Sequence, residues 1–438
     1  MSRHHLPLGG DRAGWLQRGW RGQIPPHHSQ EPRRQRGGTP KTSNNDDATE
    51  KAEQAPCPVP SSTMAANQNI MPTTPDYNSI LSHFQTEGTV ADVKPLGNGL
   101  INDTLKVTTT GDSCPDYVLQ RINDSVFTDV ELLQHNITTV TDHIRRKLAD
   151  RGETDLDRRV LRFVKTHDGK SYFHDEDGRY WRLSVFIPSS QTLERVTPRT
   201  SLEAGRAFGE FESMLADLKE PLGETIPGFH NMELKAQMLR EAVENNLAQR
   251  VDQSEVRELL RDMEADMEEM CKGERLYREG KLPKRICHCD TKVNNMLYDA
   301  ETGNPLCVID LDTVMPSFVF SDFGDFLRTA ANFVAEDCPD LNRVGFNMDI
   351  FRSFAQGYLE STRQFLQPIE RDNLPFATAL FPFMQSVRFL WDYLNGDKYW
   401  KVEYPTHNLV RAQNQMALYK SVRLHEKEMT EFLRNCQQ

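Results

Sequence analysis

Residues 285–316 read RICHCDTKVNNMLYDAETGNPLCVIDLDTVMP, and this stretch decides the fold. His288, Asp290, Lys292 and Asn295 follow one another as H-x-D-x-K-x-x-N, and the apolar run Leu306 to Ile309 delivers Asp310 twenty positions after Asp290. Moving a phosphoryl group onto a hydroxyl needs a carboxylate to orient and deprotonate the acceptor, a cation on the phosphate and oxygen ligands for magnesium. These residues supply all three.

Taken singly, each piece has a plain structural reading. A lone His288 is more often an architectural histidine than a proton carrier. Cys287 and Cys289 flank it on an extended segment, where alternate residues point to opposite sides, and no second ligand pair follows, so zinc is not expected. It is the joint match of spacing, residue type and strand context that points to the catalytic loop of kinase-like enzymes, with Asp310 as the metal-binding aspartate. Asp322-Phe323-Gly324 spells the metal motif of protein kinases literally, but it lies 32 residues after Asp290. Asp310 sits one hairpin away, so Asp322 and Asp325 are expected to brace loops through hydrogen bonds.

Upstream, the sequence predicts a small lobe of antiparallel strands. Val93 to Thr110 reads as a hairpin around the Gly97-Asn98-Gly99 turn, Tyr117 to Ile122 as a strand, and Asp129 to Asp150 as an amphipathic helix with apolar residues three and four apart. Three short strands follow, Val160 to Lys165, Lys170 to His174 and Arg179 to Ile187, divided by Asp-Gly turns. After residue 190 the pattern becomes helical. Thr200 with Glu203 offers a capping box before the stripe Ala204 to Leu218, and Val256 to Met270 forms a second stripe with an acidic back.

The chain has 438 residues with a formal net charge of -12, unevenly spread. Residues 1–41 carry +6 and residues 77–438 carry -14, so the body should repel nucleic acid and anionic membranes. The Arg-rich beginning, broken by Pro, Gly and Asn, reads as a disordered extension rather than a nucleic-acid arm or transit peptide. Met64 and Met71 just precede the first periodic segment, so a shorter chain is expected to fold as well. Eight cysteines without a C-x-x-C pair, and no long apolar run, suit a soluble protein of the reducing cytoplasm. The expected organisation is α+β: an extension over 1–76, a β-rich lobe over 77–190 and a helical lobe over 191–438.

The catalytic segment resembles that of the aminoglycoside phosphotransferase and choline kinase superfamily. The longer runs DTKVNN, VIDLDTVMP, DFGD, VLQRIN and RFLWDYLNGDKYW are similar to the N-acetylhexosamine 1-kinase branch, across roughly residues 85–425. That resemblance implies the bilobal protein-kinase-like fold, ATP and Mg2+ as cofactors, and a small-molecule acceptor, an amino sugar phosphorylated at its anomeric hydroxyl.

The resemblance further implies Asp290 as catalytic base, Lys292 as a cation near the γ-phosphate, Asn295 and Asp310 as magnesium ligands, and Asp312 as an assistant to the metal. Gly97 and Gly99 correspond to the phosphate-covering loop, and Phe186 to Pro188 to the adenine-binding hinge. Arg121 stands where kinases usually have a phosphate-binding lysine, with Glu131 as its helix partner. Arg388 and Tyr399 match sugar-holding positions, although Val387, Phe389, Leu390 and Trp400 also make that stretch a good core helix. Asp392 and Asp397 read equally as caps or surface charges. Cys289 departs from the branch, where Asn or Gly is common. The rival readings are a kinase of the same fold acting on an amino alcohol or aminoglycoside, and a catalytically silent nucleotide-binding module.

Overall fold

The computed structural model describes residues 75–97, 102–111 and 113–436. The expected extension, all but its last two positions, lies outside them, as does Gly99.

Helix α1 (Tyr77–Leu81) leads into strands β1 (Thr89–Pro95), β2 (Asp103–Thr110) and β3 (Tyr117–Ile122), then α2 (Val130–Asp150). Strands β4 (Phe163–Val164), β5 (Phe173–His174) and β6 (Tyr180–Val185) complete an antiparallel sheet in the order β1-β2-β3-β6-β4, with β5 also paired to β6. Two of the three short strands expected after α2 are thus only two residues long. Their backbone is drawn into the turns between them.

Alternation assigns the two faces of the sheet. Leu105, Val107, Tyr117, Leu119, Trp181, Leu183 and Val185 pack on one side against Ile80, Leu81 and Phe84. On the other side Ile122 joins Leu133, Ile137, Val140 and Ile144 of α2, which also meet Phe211 and Met214 and, beside the catalytic segment, Leu311 and Val314. Burying each such side chain stabilises the fold by roughly 1.5–3 kcal/mol. Helix α2 starts on Asp129, whose carboxylate accepts the N–H of Leu132 at 2.9 Å. Halfway along it, the Asn136 amide donates to the carbonyls of Gly223 and Val314 at 2.8 and 2.9 Å. That tie fixes the sheet-bearing lobe to the loop after Asp310.

Strand β7 (Ser190–Gln191) opens the helical part, followed by α3 (Pro198–Leu215), α4 (Met232–Asn245) and α5 (Ser254–Met270). The cap of α3 lies one turn earlier than the sequence reading placed it. Thr197 and Thr200 exchange hydrogen bonds at 2.8 and 3.2 Å, because Pro198 presets the first helical φ and has no N–H to leave unpaired. The catalytic segment comprises β8 (Arg285–Cys287), β9 (Met296–Asp299), β10 (Pro305–Val308) and β11 (Met315–Ser317), with β8 paired to β11 and β9 between β7 and β10.

Helices α6 (Phe320–Ala330), α7 (Met348–Thr362), α8 (Leu374–Leu394) and α9 (His407–Leu424) surround it. Helices α3 and α7 touch main chain to main chain. A Cβ on Gly205 would strike the carbonyl of Phe354, and one on Gly357 the carbonyl of Leu202. Among the described residues no helix is long and apolar enough to cross a membrane, and no cysteine is in a disulfide.

Candidate active site

Strand β8 ends at Cys287, and the chain then makes a left-handed turn at Cys289, φ +63°. Asn and Gly adopt that conformation more readily than cysteine does. The turn is pinned from beneath. Asp322 Oδ2 accepts the His288 N–H at 2.8 Å, Asp322 Oδ1 the Cys289 N–H at 2.7 Å, and the Asp322 carbonyl the Thr291 hydroxyl at 2.7 Å. Burial raises the Asp322 pKa in spite of these donors.

Glu212 and Cys287 stand beside Asp322, with ligand-type atoms all within 4.8 Å of one another. Both Asp322 oxygens are already taken, and Glu212 accepts the Tyr358 hydroxyl at 2.6 Å while burial and the Asp322 charge raise its pKa well above normal. The trio is a buried brace, not an open ligand sphere.

His288 is architectural. Its Nε2 lies 2.8 Å from the Ile309 carbonyl and its Nδ1 3.2 Å from the Asp290 N–H, a pair of contacts that fits the neutral ring with the proton on Nε2. It therefore couples the loop before Asp290 to the strand end before Asp310.

Asp290, Lys292, Asn295 and Asp310 come together as expected. Asp290 Oδ2 accepts from Lys292 Nζ at 2.8 Å and from the Asn295 amide at 3.0 Å, and that amide also donates to the Asp290 carbonyl at 2.8 Å. Burial opposes the charged form of Asp290, but Lys292 and Asn295 hold its pKa below normal. Its Oδ1 takes no hydrogen bond among the described residues and is open to an acceptor hydroxyl. Burial likewise works against the Lys292 ammonium, and the charges of Asp290 and Asp310 more than reverse it.

Asp310, itself left-handed at φ +61°, lies 3.8 Å from Lys292 Nζ, and burial plus the charges of Asp312 and Asp290 raise its pKa. The Asn295 amide oxygen takes no hydrogen bond among the described residues, and an amide oxygen and an under-neutralised carboxylate are donor types suited to a hard divalent cation.

Asp312, expected beside the metal, is a buried acid. It is 3% exposed, pairs with Arg182 at 2.5 Å and accepts from the Asn102 amide at 2.6 Å. Arg182 stands opposite Gln120 in the β3–β6 register and donates to it at 3.0 Å. Arg121, one residue on, shares the opposite face with Tyr117 and Leu119; it is exposed and contacts Asp103 at 3.3 Å. Glu131 accepts from Tyr172 instead. The buried cation brought to the cluster is thus Arg182, and Arg121 is not brought to it. Gly97 has φ +71° and open space where a side chain would be.

A phosphoryl-transfer segment on a β-rich lobe and a helical lobe has known counterparts. Residues 92–359 match the phosphotransferase enzyme family. The chain belongs to that family. Among solved structures, this phosphotransferase is similar to an aminoglycoside phosphotransferase from Alicyclobacillus acidocaldarius subsp. acidocaldarius DSM 446, with TM-score 0.53 and 12% identity over 83% of this chain and 98% of that one. It is also similar to the microcompartment-associated aminopropanol kinase, with TM-score 0.50 and 18% identity over 81% and 98% of the two chains. At these identities the likeness shows the kinase-like fold.

Near Asp290 in this phosphotransferase, Asp325 is 6% exposed and bound to Arg328 at 2.9 Å; Arg328 also holds Glu336 at 2.7 Å. Burial raises the Asp325 pKa, with Asp290 adding to the effect. Arg388 lies over the rings of Phe229 and Trp400 at 4.9 and 5.1 Å. Burial lowers its pKa while the nearby Tyr399 opposes that. Tyr399 is 41% exposed, its backbone N–H held by Asp392 at 2.9 Å together with those of Lys398 and Trp400. Asp392 is therefore a buried loop organiser, and Asp397 pairs with Arg250 at 2.5 Å.

Lys235 and His230 were missed. Lys235 interrupts the buried stripe Met232, Ala236, Leu239, Ala242, and a lysine on an apolar helical face was the available signal.

Proposed function

We propose that this phosphotransferase transfers the γ-phosphate of ATP to a hydroxyl of a sugar, with an N-acetylhexosamine and its anomeric hydroxyl as the reference acceptor. The observation that carries the reading is Asp290, with one oxygen tied by Lys292 and Asn295 and the other open. The open oxygen would accept the hydroxyl proton and aim its lone pair at the phosphorus. Lys292, kept charged by its two carboxylates, would neutralise the transferring group. The nucleotide would lie between the lobe of residues 77–190 and that of 191–438, beneath the Gly97 turn, with Arg182 as the nearest strand-borne cation. Asp310 and the Asn295 amide oxygen would hold Mg2+, which supplies charge neutralisation on the phosphates when bound.

A sugar is favoured over an amino alcohol because the acceptor side presents donors. Arg388 and the Tyr399 hydroxyl suit hydroxyl and acetamide oxygens, while the neighbouring carboxylate Asp325 is occupied by Arg328. A quaternary ammonium would meet like charge there.

The test is magnesium-dependent ATP consumption with GlcNAc, GalNAc, other hexoses, choline and an aminoglycoside, followed by phosphorus NMR. A sugar 1-phosphate formed by the wild type and not by Asp290→Asn supports the reading. Turnover on choline or the aminoglycoside alone refutes the sugar, and nucleotide binding without turnover on any acceptor favours the silent module.

A further inference from the structure

Near Asp325 one buried cation has no direct partner among the described residues. Arg328 donates to Asp325 and to Glu336. Arg388 donates to Gln385 at 2.9 Å, a neutral partner, lies over the rings of Phe229 and Trp400, and has the Tyr399 hydroxyl and the Asp325 carboxylate nearby. Lys235 is 9% exposed and has no hydrogen bond or ion pair among the described residues. Between them His230 turns Nδ1 toward Ser321 Oγ at 2.9 Å, and burial together with Arg388, Lys235 and Arg328 keeps it neutral. Lysines this buried are almost always paired, because an ammonium out of water needs a counter-charge. Burial and the positive charge of Arg388 bring Lys235 down only to about 8, so it is still largely protonated at neutral pH.

From the partnerless Lys235 beside the half-compensated Arg388 we infer that the acceptor carries an anionic group, a carboxylate or a phosphate, bound by Lys235 and Arg388 while Asp290 addresses a hydroxyl of the same molecule. The inference rests on the kinase reading above and narrows its acceptor to an acidic sugar. The arginine contributes a planar edge of parallel N–H donors, which matches two oxygens of either anion, and the rings of Phe229 and Trp400 fix the plane of that edge. The lysine contributes a compact point charge. A neutral sugar would satisfy donors here but leave the Lys235 charge unmatched, and a cationic acceptor would add a second unmatched charge.

The experiment uses matched pairs on the full chain with magnesium and a non-hydrolysable ATP analogue: glucose against glucuronate and glucose 6-phosphate, and N-acetylglucosamine against its 6-phosphate. Affinities are read by calorimetry for the wild type, Lys235→Gln and Lys235→Arg, with circular dichroism confirming the fold of each variant. At least one anionic sugar is expected to bind roughly tenfold or more tightly than its neutral parent. Lys235→Gln should erase that preference, Lys235→Arg should keep most of it, and the neutral parents should change by less than about threefold. Which anion wins separates carboxylate from phosphate recognition. Equal affinity within every pair, failure of every anionic sugar to bind, a preference that survives Lys235→Gln, or a loss that falls on the nucleotide analogue instead would each overturn the inference. Turnover is scored separately: ATP consumed on neutral sugars without an anionic preference keeps the kinase and removes the acidic acceptor, whereas a tightly bound acidic sugar that never accepts phosphate removes the kinase.

Discussion

Asp322 grips the backbone N–H of His288 at 2.8 Å, two residues before Asp290, and does so from a helix, 34 residues downstream of His288. The Asp-Phe-Gly triplet that looks like a metal motif is therefore a clamp on the catalytic loop. Asp322→Ala would leave the buried N–H groups of His288 and Cys289 without partners and should destabilise the protein by about 2–4 kcal/mol. Asp310→Ala removes no such partner, so it should abolish magnesium-dependent turnover with a denaturation midpoint close to wild type. Urea titrations of the two variants, run beside the ATP assay, separate the clamp from the ligand. A folded, fully active Asp310→Ala would return the metal role to Asp322.

Asp290→Asn keeps the size of the side chain and loses the proton acceptor. It should lower kcat by roughly 10²- to 10⁴-fold while the nucleotide KM changes little. Steady-state kinetics on any acceptor found active checks this, and an unchanged kcat would remove Asp290 from the proton transfer.

Arg182 and Asp312 are both nearly inaccessible, and each is the other's counter-charge. Arg182→Gln or Asp312→Asn alone should cost about 3–5 kcal/mol, because each leaves a buried charge unmatched, and the double replacement should cost less than the sum. A double-mutant cycle by chemical denaturation reads the coupling; additive losses would show that the pair is not interacting. Arg182→Gln should also raise the KM for ATP far more than Arg121→Gln does.

Lys235 supplies a pH signature of its own. Its pKa falls from 10.5 in the unfolded chain to about 8 in the fold, so the folded state gives up the proton first. Below about pH 8 both states are charged and the penalty of burying the ammonium is present in full. Between 8 and 10.5 the unfolded state binds more protons, and stability from this group rises with pH. Lys235→Met should therefore stabilise the protein at neutral pH, by at most about 3 kcal/mol, and its advantage should shrink as pH rises through that window. Melting temperatures at pH 7 and pH 9.5 measure it. A destabilised Lys235→Met would mean that the ammonium has a partner.

What could be read along the chain and what could not divides by distance in sequence. Helix α2 declared itself through Val130, Leu133, Ile137, Val140, Ile144 and Leu148, and the catalytic four lie within 21 residues, where spacing alone carries their relation. Asn102 and Asp312 are 210 residues apart, and no local pattern joins them. Arg121, expected at the phosphate, follows Tyr117 and Leu119 on one strand face, while Gln120 shares the other with Ile122 and sits opposite Arg182, a relation across two strands that the local pattern does not carry. The capping box shifted by one turn because Pro198 outweighs a threonine–glutamate match.

The main-chain contact of α3 with α7 bears on how copies of this gene could decay. Gly205 and Gly357 set the spacing of helices whose Phe208 and Phe211 press edge-on against His288 at 5.9 and 5.8 Å, and Phe354 stacks on Phe326 at 4.1 Å between them. One added methyl at either glycine would wedge these helices apart and tilt the ring beneath the catalytic loop, with every reacting group still spelled correctly. A duplicate could thus lose its chemistry while its motif stayed intact, and alanine at 205 or 357 would be the first mark of that loss.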